Sequence, residues 1–240
     1  MVTDVHRVDG RWRRVSRDGV AGRPAAVLED LADLAEGLLA RHAVTGERRW
    51  YALALEVGEE LLAHFAADGG GFHDVARHAV DPALHAARAG ARRPRDLTDG
   101  ATPSGSAAAA GVLLTLGALT GQERFTGAAR GALALAGGVA AGAPRFAGWS
   151  LAVAEALLDG PREVAVVGAA GDAGTAALHR AALASPAPGL VVVRGVPGES
   201  EPALLEQRGL VGGRPAAYVC RGFVCHAPTT SVQELVEALR

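Results

Sequence analysis

Apolar residues recur at helical spacing through the first 160 residues of the chain. In residues 26–39 they stand three or four positions apart, which is the pattern of an amphipathic helix. Pro24 can occupy the first turn and Thr45-Gly46 can end the helix, so we predict a helix over about residues 24–43. A second apolar stripe predicts a helix over residues 47–67, and the two helices would form an antiparallel hairpin.

The same series of features returns 75 residues later. A Leu-Leu pair, a Thr-Gly pair and an Arg-aromatic pair begin at Leu38, Thr45 and Arg49, and again at Leu113, Thr120 and Arg124. One helical hairpin cannot bury its apolar face alone, so the repeat predicts hairpins stacked side by side, as in a solenoid or an α/α toroid. A fifth helix is predicted over residues 145–158.

From Gly160 onward the pattern changes to short β-branched runs. Residues 163–168 and 190–194 predict strands on either side of a helix over residues 172–184, which is a βαβ unit. Residues 216–220 and 223–225 predict a β-hairpin with its turn at Arg221-Gly222, and a capping box at Ser231 opens a closing helix. The chain therefore divides into a helical-hairpin region, 1–160, and a small α/β segment, 161–240.

Composition restricts the function classes. A formal net charge of −2 gives no electrostatic attraction to nucleic acid. The N-terminus lacks an export-signal pattern and the apolar runs are too short for a membrane span, so the expected location is the cytoplasm. The sequence contains no lysine, which excludes Schiff bases, a phosphate-loop lysine and a lysine base, and no cofactor is predicted.

Carboxylates open the first predicted helix, at Glu29 and Asp30. The helix dipole favours carboxylates at a helix N-terminus by about 0.3–1 kcal/mol, which is a sufficient structural explanation for both residues. In a toroid, however, helix N-termini and hairpin loops line the lumen, where an acid pair could transfer protons. Asp30 is the better candidate of the two.

A long irregular stretch over residues 68–103 holds further candidates. His73 and Asp74 could form an acid–base pair, and a loop histidine beside a helix-capping aspartate is the structural alternative. Thr102 is predicted to cap the next helix, which leaves Asp99 and Ser104 free to face a polar ligand such as a sugar hydroxyl.

Cys220 and Cys225 are the only two cysteines of the sequence, and so small a number fits a reducing compartment. Their spacing across a predicted hairpin allows a disulfide. Half of a metal site with His226 and a pair of buried free thiols are the alternatives.

Several separated motifs, taken in order, resemble a known family. They are Arg17-Asp18-Gly19, Leu28-Glu29-Asp30, Gly-Gly-Gly-Phe from Gly69 to Phe72, Asp-Leu-Thr-Asp-x-Ala-Thr-Pro-Ser-Gly from Asp96 to Gly105, and Tyr-Val-Cys-x4-Cys-x2-Pro from Tyr218 to Pro228. Together they are similar to the YyaL-type thioredoxin-domain-containing proteins, which include the spermatogenesis-associated thioredoxin-like protein of animals. The resemblance covers nearly the whole chain.

The resemblance implies an N-terminal thioredoxin-like domain, an (α/α)6 toroid of the six-hairpin glycosidase and sugar-epimerase kind, and a short α/β tail. The expected fold class is therefore mainly α: stacked hairpins of a partial (α/α)6 toroid, followed by a small α/β segment. The chain departs from this plan, because the thioredoxin part and most of the hairpins are missing. Gly100 and Ser106 stand where the family has asparagine, and His73 stands where tyrosine is usual.

Two function hypotheses follow. The favoured one is a truncated, non-catalytic fragment whose apolar edges are covered by self-association or by a partner chain that completes the toroid. The alternative is a carbohydrate-active enzyme, a sugar epimerase, isomerase or glycosidase-like protein, that acts on a small sugar-like ligand. The predicted acid–base residues of this enzyme are Asp30, His73 and Asp99. Its predicted ligand contacts are Glu29, Asp74, Thr102 and Ser104. Separately, Cys220 and Cys225 are predicted to be a redox pair.

Overall fold

The computed structural model describes residues 2–79 and 93–240, so residues 80–92, in the middle of the predicted irregular stretch, lie outside the described residues. The chain opens with a one-turn helix and two small β-hairpins that the hydrophobic pattern does not predict. These elements are α1 (Val2–Val5), β1 (Arg7–Val8), β2 (Arg11–Trp12), β3 (Ser16–Arg17) and β4 (Val20–Ala21). Each hairpin turns through an Asp-Gly pair with positive φ, a pair favoured in such turns.

The helical-hairpin region contains helices close to the predicted ones. They are α2 (Leu28–Thr45), α3 (Arg48–Glu60), α4 (Gly105–Thr120), α5 (Glu123–Gly142) and α6 (Gly148–Asp159). A π-helical turn at Leu61–Phe65 continues α3, and 3-10 turns lie at Arg77–Ala79 and Pro144–Phe146. Helix α2 begins at Leu28 instead of Pro24, because Val27 is extended and the Asp30 carboxylate accepts the Val27 N–H.

The two helical hairpins share the same turn. Gly46 (φ 71°) and Gly121 (φ 70°) end α2 and α4 in the left-handed conformation, which residues with a Cβ rarely adopt. In each turn the threonine before the glycine donates its hydroxyl to a carbonyl of the preceding helical turn and accepts the N–H of the residue after the glycine. The repeat seen in the sequence is therefore confirmed as a pair of equivalent α-hairpins.

The α/β segment forms a four-stranded sheet of order β6-β5-β7-β8. Its elements are β5 (Arg162–Val167), α7 (Ala173–Leu183), β6 (Leu190–Gly195), β7 (Ala216–Arg221), β8 (Val224–Cys225) and α8 (Val232–Ala238). Strand β6 pairs parallel to β5, as the predicted βαβ unit requires, whereas β7 pairs antiparallel to both β5 and β8. Asp172 caps α7 by accepting the Thr175 N–H at 2.8 Å.

Both faces of this sheet are buried, and they pack against different partners. Val164 and Val166 belong to a cluster formed with α7 and α8. The alternate residues of the same strand, Ala165 and Val167, belong to the core of the helical hairpins. This alternation follows from the two-residue period of a strand. The secondary structure thus changes near residue 160, but the hydrophobic core continues across that point.

The described residues are about half helical with a small mixed sheet, so the fold is of the α/β class. The expected order, helical hairpins followed by an α/β segment, is confirmed. Their arrangement as part of an (α/α)6 ring stays a prediction, because two hairpins and α6 do not define a ring. No helix in the described ranges, 2–79 and 93–240, is long and apolar enough to cross a membrane.

Candidate functional site

Several predicted site residues gather where α2, α4 and α6 begin, and Asp99 joins two of these helices. Its carboxylate accepts the Ser104 N–H at 2.9 Å and the Trp149 N–H at 2.8 Å. Its own N–H donates to the Phe146 carbonyl oxygen at 2.8 Å. The first N–H groups of a helix have no partner within the helix. Both Asp99 carboxylate oxygens are therefore engaged in connecting the start of α4 to the start of α6.

Ser104, and not Thr102, caps α4. The Ser104 Oγ accepts the Ala107 N–H at 3.2 Å, and the helix begins at the next residue after Ser104. The N-cap prediction was wrong because Pro103 precedes the cap instead of occupying the first turn. The Thr102 hydroxyl donates to Glu29 Oε1 at 3.0 Å, a contact that joins the segment before α4 to α2. Ser104 is buried, so its hydroxyl serves the helix and does not face solvent.

Asp30 binds the start of α2 with one carboxylate oxygen and pairs with Arg14 through the other. Oδ2 accepts the Val27 N–H at 2.9 Å, and Oδ1 lies 3.5 Å from Arg14 Nε. This is the arrangement of the structural alternative, in which a carboxylate stabilises a helix N-terminus.

His73 and Asp74 hold two chain segments together. The His73 Nδ1 lies 3.1 Å from the Arg93 carbonyl oxygen, and the Asp74 carboxylate accepts the Asp96 N–H at 3.1 Å. The Asp74 carbonyl oxygen accepts the Leu28 N–H at 2.9 Å, which ties this segment to α2. Partial burial lowers the pKa of His73 and raises the pKa of Asp74.

The structure thus brings Glu29 to Thr102 and Asp99 to Ser104. Within the described part of the chain, no hydrogen bond or ion pair links His73 to Asp30 or to Asp99. A glycosidase needs two carboxyl groups that face each other across the scissile bond. Here the carboxylates turn towards backbone amides, so this cluster is better suited to joining helix ends than to proton transfer.

A cleft of about 310 Å³ opens between α2, α4, α6 and β6. It is half-enclosed, and we call it the His42 cleft. Most of its lining is apolar, including Leu39, Ala43, Val112, Leu114, Val153 and Val192. Helices α2 and α4 contribute equivalent positions of the repeat to the two walls, such as Leu39 and Leu114.

His42 is a buried polar residue in this lining, with only 2% of its surface exposed. Its Nδ1 lies 3.2 Å from the Glu47 carbonyl oxygen, and its ring packs beside Tyr51 with centroids 5.7 Å apart. Burial lowers the pKa of His42, which keeps the imidazole neutral near pH 7. A carbonyl oxygen only accepts, so Nδ1 carries the hydrogen and Nε2 is an acceptor. No described residue donates to the buried Nε2.

Few other polar groups line the cleft. Glu36 lies on the exposed side of α2, and partial burial, followed by the nearby charge of Asp33, raises the pKa of its carboxyl. The Thr115 hydroxyl already donates to the Gly111 carbonyl oxygen at 3.1 Å. An apolar pocket with a small number of placed polar groups is typical of small-molecule sites.

A second feature lies at the opposite edge of the sheet, in the Cys220–Cys225 hairpin, which consists of β7, β8 and their turn. The two cysteines are paired across the strands and joined by a disulfide, so the disulfide is the correct one of the three alternatives. Gly222 (φ 54°) and Phe223 (φ 65°) form the turn, one residue later than predicted. Cys220 is fully buried, whereas Cys225 is partly exposed.

Arg208 lies against this disulfide. Its Nη2 is 2.9 Å from Cys225 Sγ and 3.8 Å from Cys220 Sγ, and its guanidinium carbon lies 5.1 Å from the centre of the Tyr218 ring. The Tyr218 hydroxyl donates to the Gly209 carbonyl oxygen at 3.0 Å and accepts the Gly209 N–H at 3.2 Å. These two bonds fix the loop that carries Arg208.

Glu163 is a buried carboxyl beside the same hairpin. It pairs with Cys220 in the register of β5 and β7, so both side chains lie on one face of the sheet. Its Oε2 accepts the Phe223 N–H at 2.9 Å, which holds the hairpin turn. Burial raises the pKa of Glu163, although the bonds from the turn and the charge of Arg208 oppose that shift.

The described residues contain no group of three or more histidine, cysteine or acidic side chains that could hold a metal ion. We found no protein-family model and no curated protein that matches the chain.

His42, Arg208 and Glu163 are not among the residues predicted from the sequence. A glutamate inside a β-branched run, as in Glu163-Val-Ala-Val-Val, was one available signal, because a strand that is buried on both faces rarely holds a charge. The repeat was another: His42 stands where the second hairpin has Gly117. Nothing in the sequence pattern marks Arg208, since its contact with the sulfurs depends on the path of the loop before β7.

Proposed function

We propose that the protein binds a small, mainly apolar molecule in the His42 cleft and recognises one hydrogen-bond donor of that molecule through His42 Nε2. The observation that carries the proposal is the buried Nε2 of a neutral imidazole, to which no described residue donates. Burial of an acceptor without a partner costs about 1–3 kcal/mol. A ligand that donates to Nε2 removes this cost, which favours the bound state.

The volume of the cleft limits the ligand to about a dozen non-hydrogen atoms. An apolar cavity of about 150 Å³ takes up benzene. A cleft of about 310 Å³ therefore suits a molecule of roughly two such rings. The apolar walls from α2, α4 and β6 favour a flat or compact hydrocarbon body, with its donor directed towards His42.

A sugar fits this cleft less well than an apolar molecule. A sugar ring carries hydroxyl groups around its whole edge, and each buried hydroxyl needs a hydrogen-bond partner. The lining offers mainly leucine, valine and alanine side chains. The carboxylates expected for carbohydrate chemistry, Asp30 and Asp99, lie elsewhere and bind backbone amides.

Naphthol and naphthalene test the proposal because they have the same ring system and differ by one hydroxyl donor. In calorimetric titrations of the wild-type protein, we expect naphthol to bind about 3–10-fold more tightly than naphthalene. In His42→Leu the acceptor is lost while the apolar volume is kept, so the two compounds should bind equally.

Thr115→Val is the matched control, because it changes another residue of the same lining whose hydroxyl is already bound within α4. This variant should keep the preference for naphthol. A wild-type protein that binds neither compound, or a His42→Leu variant that still prefers naphthol, would contradict the proposal.

The outer face of α6 favours a second candidate function, association with another copy of the chain. Leu151 is 45% exposed and Leu158 is 87% exposed. A two-fold contact between copies would cover the same face of α6 in both. Light scattering after size exclusion should show a dimer that Leu158→Glu dissociates. A monomer at every concentration would exclude this candidate.

A further inference from the structure

The Arg208 guanidinium faces sulfur atoms where an arginine would ordinarily meet a carboxylate. Its Nη2 contacts both sulfurs of the disulfide, and no described carboxylate forms an ion pair with it. A disulfide is neutral and accepts hydrogen bonds weakly, whereas a thiolate carries a full negative charge. The guanidinium therefore stabilises the reduced, thiolate form of these cysteines more than the disulfide.

We propose that the Cys220–Cys225 hairpin is a site of thiol–disulfide exchange that accepts two electrons from a dithiol. The two sulfurs differ in access, because Cys220 is fully buried and Cys225 is partly exposed. We therefore expect an incoming thiolate to attack Cys225, with Cys220 Sγ as the leaving group. This inference does not depend on the function of the His42 cleft.

The exchange proceeds in two steps. A thiolate of the dithiol attacks Cys225 Sγ, a mixed disulfide forms, the Cys220–Cys225 bond breaks, and Cys220 departs as a thiolate beside Arg208. The second thiol of the dithiol loses its proton to solvent and attacks the other dithiol sulfur, the one that is bonded to Cys225. This attack closes the disulfide of the reagent and releases Cys225 as a thiolate. The dithiol loses two electrons and becomes a disulfide, and the two cysteines gain them.

The surroundings keep this geometry after the sulfur–sulfur bond opens. Glu163 accepts the Phe223 N–H and so holds the turn. The ring of Phe223 lies against Gly121 in the turn of the second helical hairpin, so closely that a Cβ added to Gly121 would be 3.3 Å from the ring. Tyr218 separately fixes Gly209, next to Arg208. Both cysteines therefore stay near each other and near the guanidinium, ready to form the disulfide again.

Reduction by dithiothreitol, followed by alkylation and mass measurement, tests the role of Arg208. In Arg208→Met the leaving thiolate loses its cation, so we expect reduction to be at least about fivefold slower and the equilibrium to move towards the disulfide. Arg208→Lys should restore part of the wild-type rate. Arg221→Met is the matched control, because Arg221 lies in the same hairpin but pairs with Asp159.

Single cysteine variants test which sulfur is attacked. With oxidised glutathione, Cys220→Ser should form a mixed disulfide at Cys225 at least about tenfold faster than Cys225→Ser forms one at Cys220, because Cys225 is partly exposed and Cys220 is fully buried. Circular dichroism confirms that each variant is folded. A disulfide that resists dithiothreitol until the protein unfolds, equal rates for Arg208→Met and Arg221→Met, or equal reactivity of the two cysteines would each overturn the proposal.

Discussion

At the scale of single residues, unpaired backbone groups at helix starts decide what a carboxylate does. Asp99 accepts an N–H from the start of α4 and another from the start of α6. These amides have no partner in their own helices, so one side chain satisfies donors of two elements that are distant in sequence. The residue has the chemistry of a general base, but its hydrogen bonds give it the role of a connector.

Replacement of Asp99 tests this role. We expect Asp99→Ala to lower the free energy of unfolding by about 1–2 kcal/mol, because two N–H groups lose their acceptor at a site that water reaches only in part. Urea unfolding measures the change. Asp68→Ala, at an exposed carboxylate, is the control and should stay within about 0.5 kcal/mol of wild type. If both variants are equally stable, Asp99 is not the connector described.

The sequence predicts which polar residues stand near helix starts, but not the direction in which they point. A shift of the cap from Thr102 to Ser104 exchanges the roles of the two hydroxyls, and helix ends are the least reliable part of a sequence-based prediction. His42 illustrates the same limit. It occupies an ordinary position of an apolar stripe, and its unpaired Nε2 arises only when α2 packs beside Tyr51 and the cleft.

At the scale of elements, close helix crossings depend on missing side chains. At Gly58 in α3, an added Cβ would lie 2.3 Å from Leu116 Cδ1 of α4, and Leu116 is fully buried. At Gly37 in α2, an added Cβ would meet nothing within 4 Å. The same substitution therefore has opposite consequences in two helices of one repeat.

We expect Gly37→Ala to raise the free energy of unfolding by about 0.5–1 kcal/mol, since alanine favours the helix over glycine. Gly58→Ala should lower it by about 1–2 kcal/mol, because forcing Leu116 from its place outweighs that gain. Denaturant unfolding of the two variants side by side is the measurement. A stabilised Gly58→Ala variant would show that the crossing has room that the structure does not indicate.

Long elements were predictable and short ones were not. Helices α2 and α4 and the βαβ unit are long enough for the arrangement of their apolar residues to reveal them. The N-terminal strands have two residues each, too few to show alternation. The turn between β7 and β8 was displaced because Phe223 adopts a positive φ, which a bulky residue rarely does.

At the scale of the whole molecule, buried histidines make stability depend on pH. Burial lowers the pKa of His42 and of His179, whose Nε2 lies 2.7 Å from the Ala43 carbonyl oxygen. The unfolded chain then binds protons at a higher pH than the folded chain. The contribution of these histidines is complete above pH 6.5, their ordinary pKa, and is lost as the pH falls from there towards the lowered values.

We expect the free energy of unfolding to fall less steeply below pH 6.5 in His179→Gln than in wild type, because glutamine keeps a donor for Ala43 without titrating. Urea unfolding between pH 7.5 and pH 5 measures the two curves. Glu163, with its raised pKa, acts in the opposite sense in both proteins, so the difference between the curves isolates the histidine. Parallel curves would contradict the assignment.

The continuity of the core past residue 160 has a consequence for dissection of the gene. In a polypeptide of residues 161–240, one face of the sheet would be exposed to solvent. Ala165, Val167 and Val193 on that face would contact water instead of helices. We expect this fragment to bind the dye ANS and to melt without a sharp transition, and to regain cooperative melting when residues 1–160 are supplied in trans. The change of secondary structure near residue 160 is thus not a boundary between two folding units.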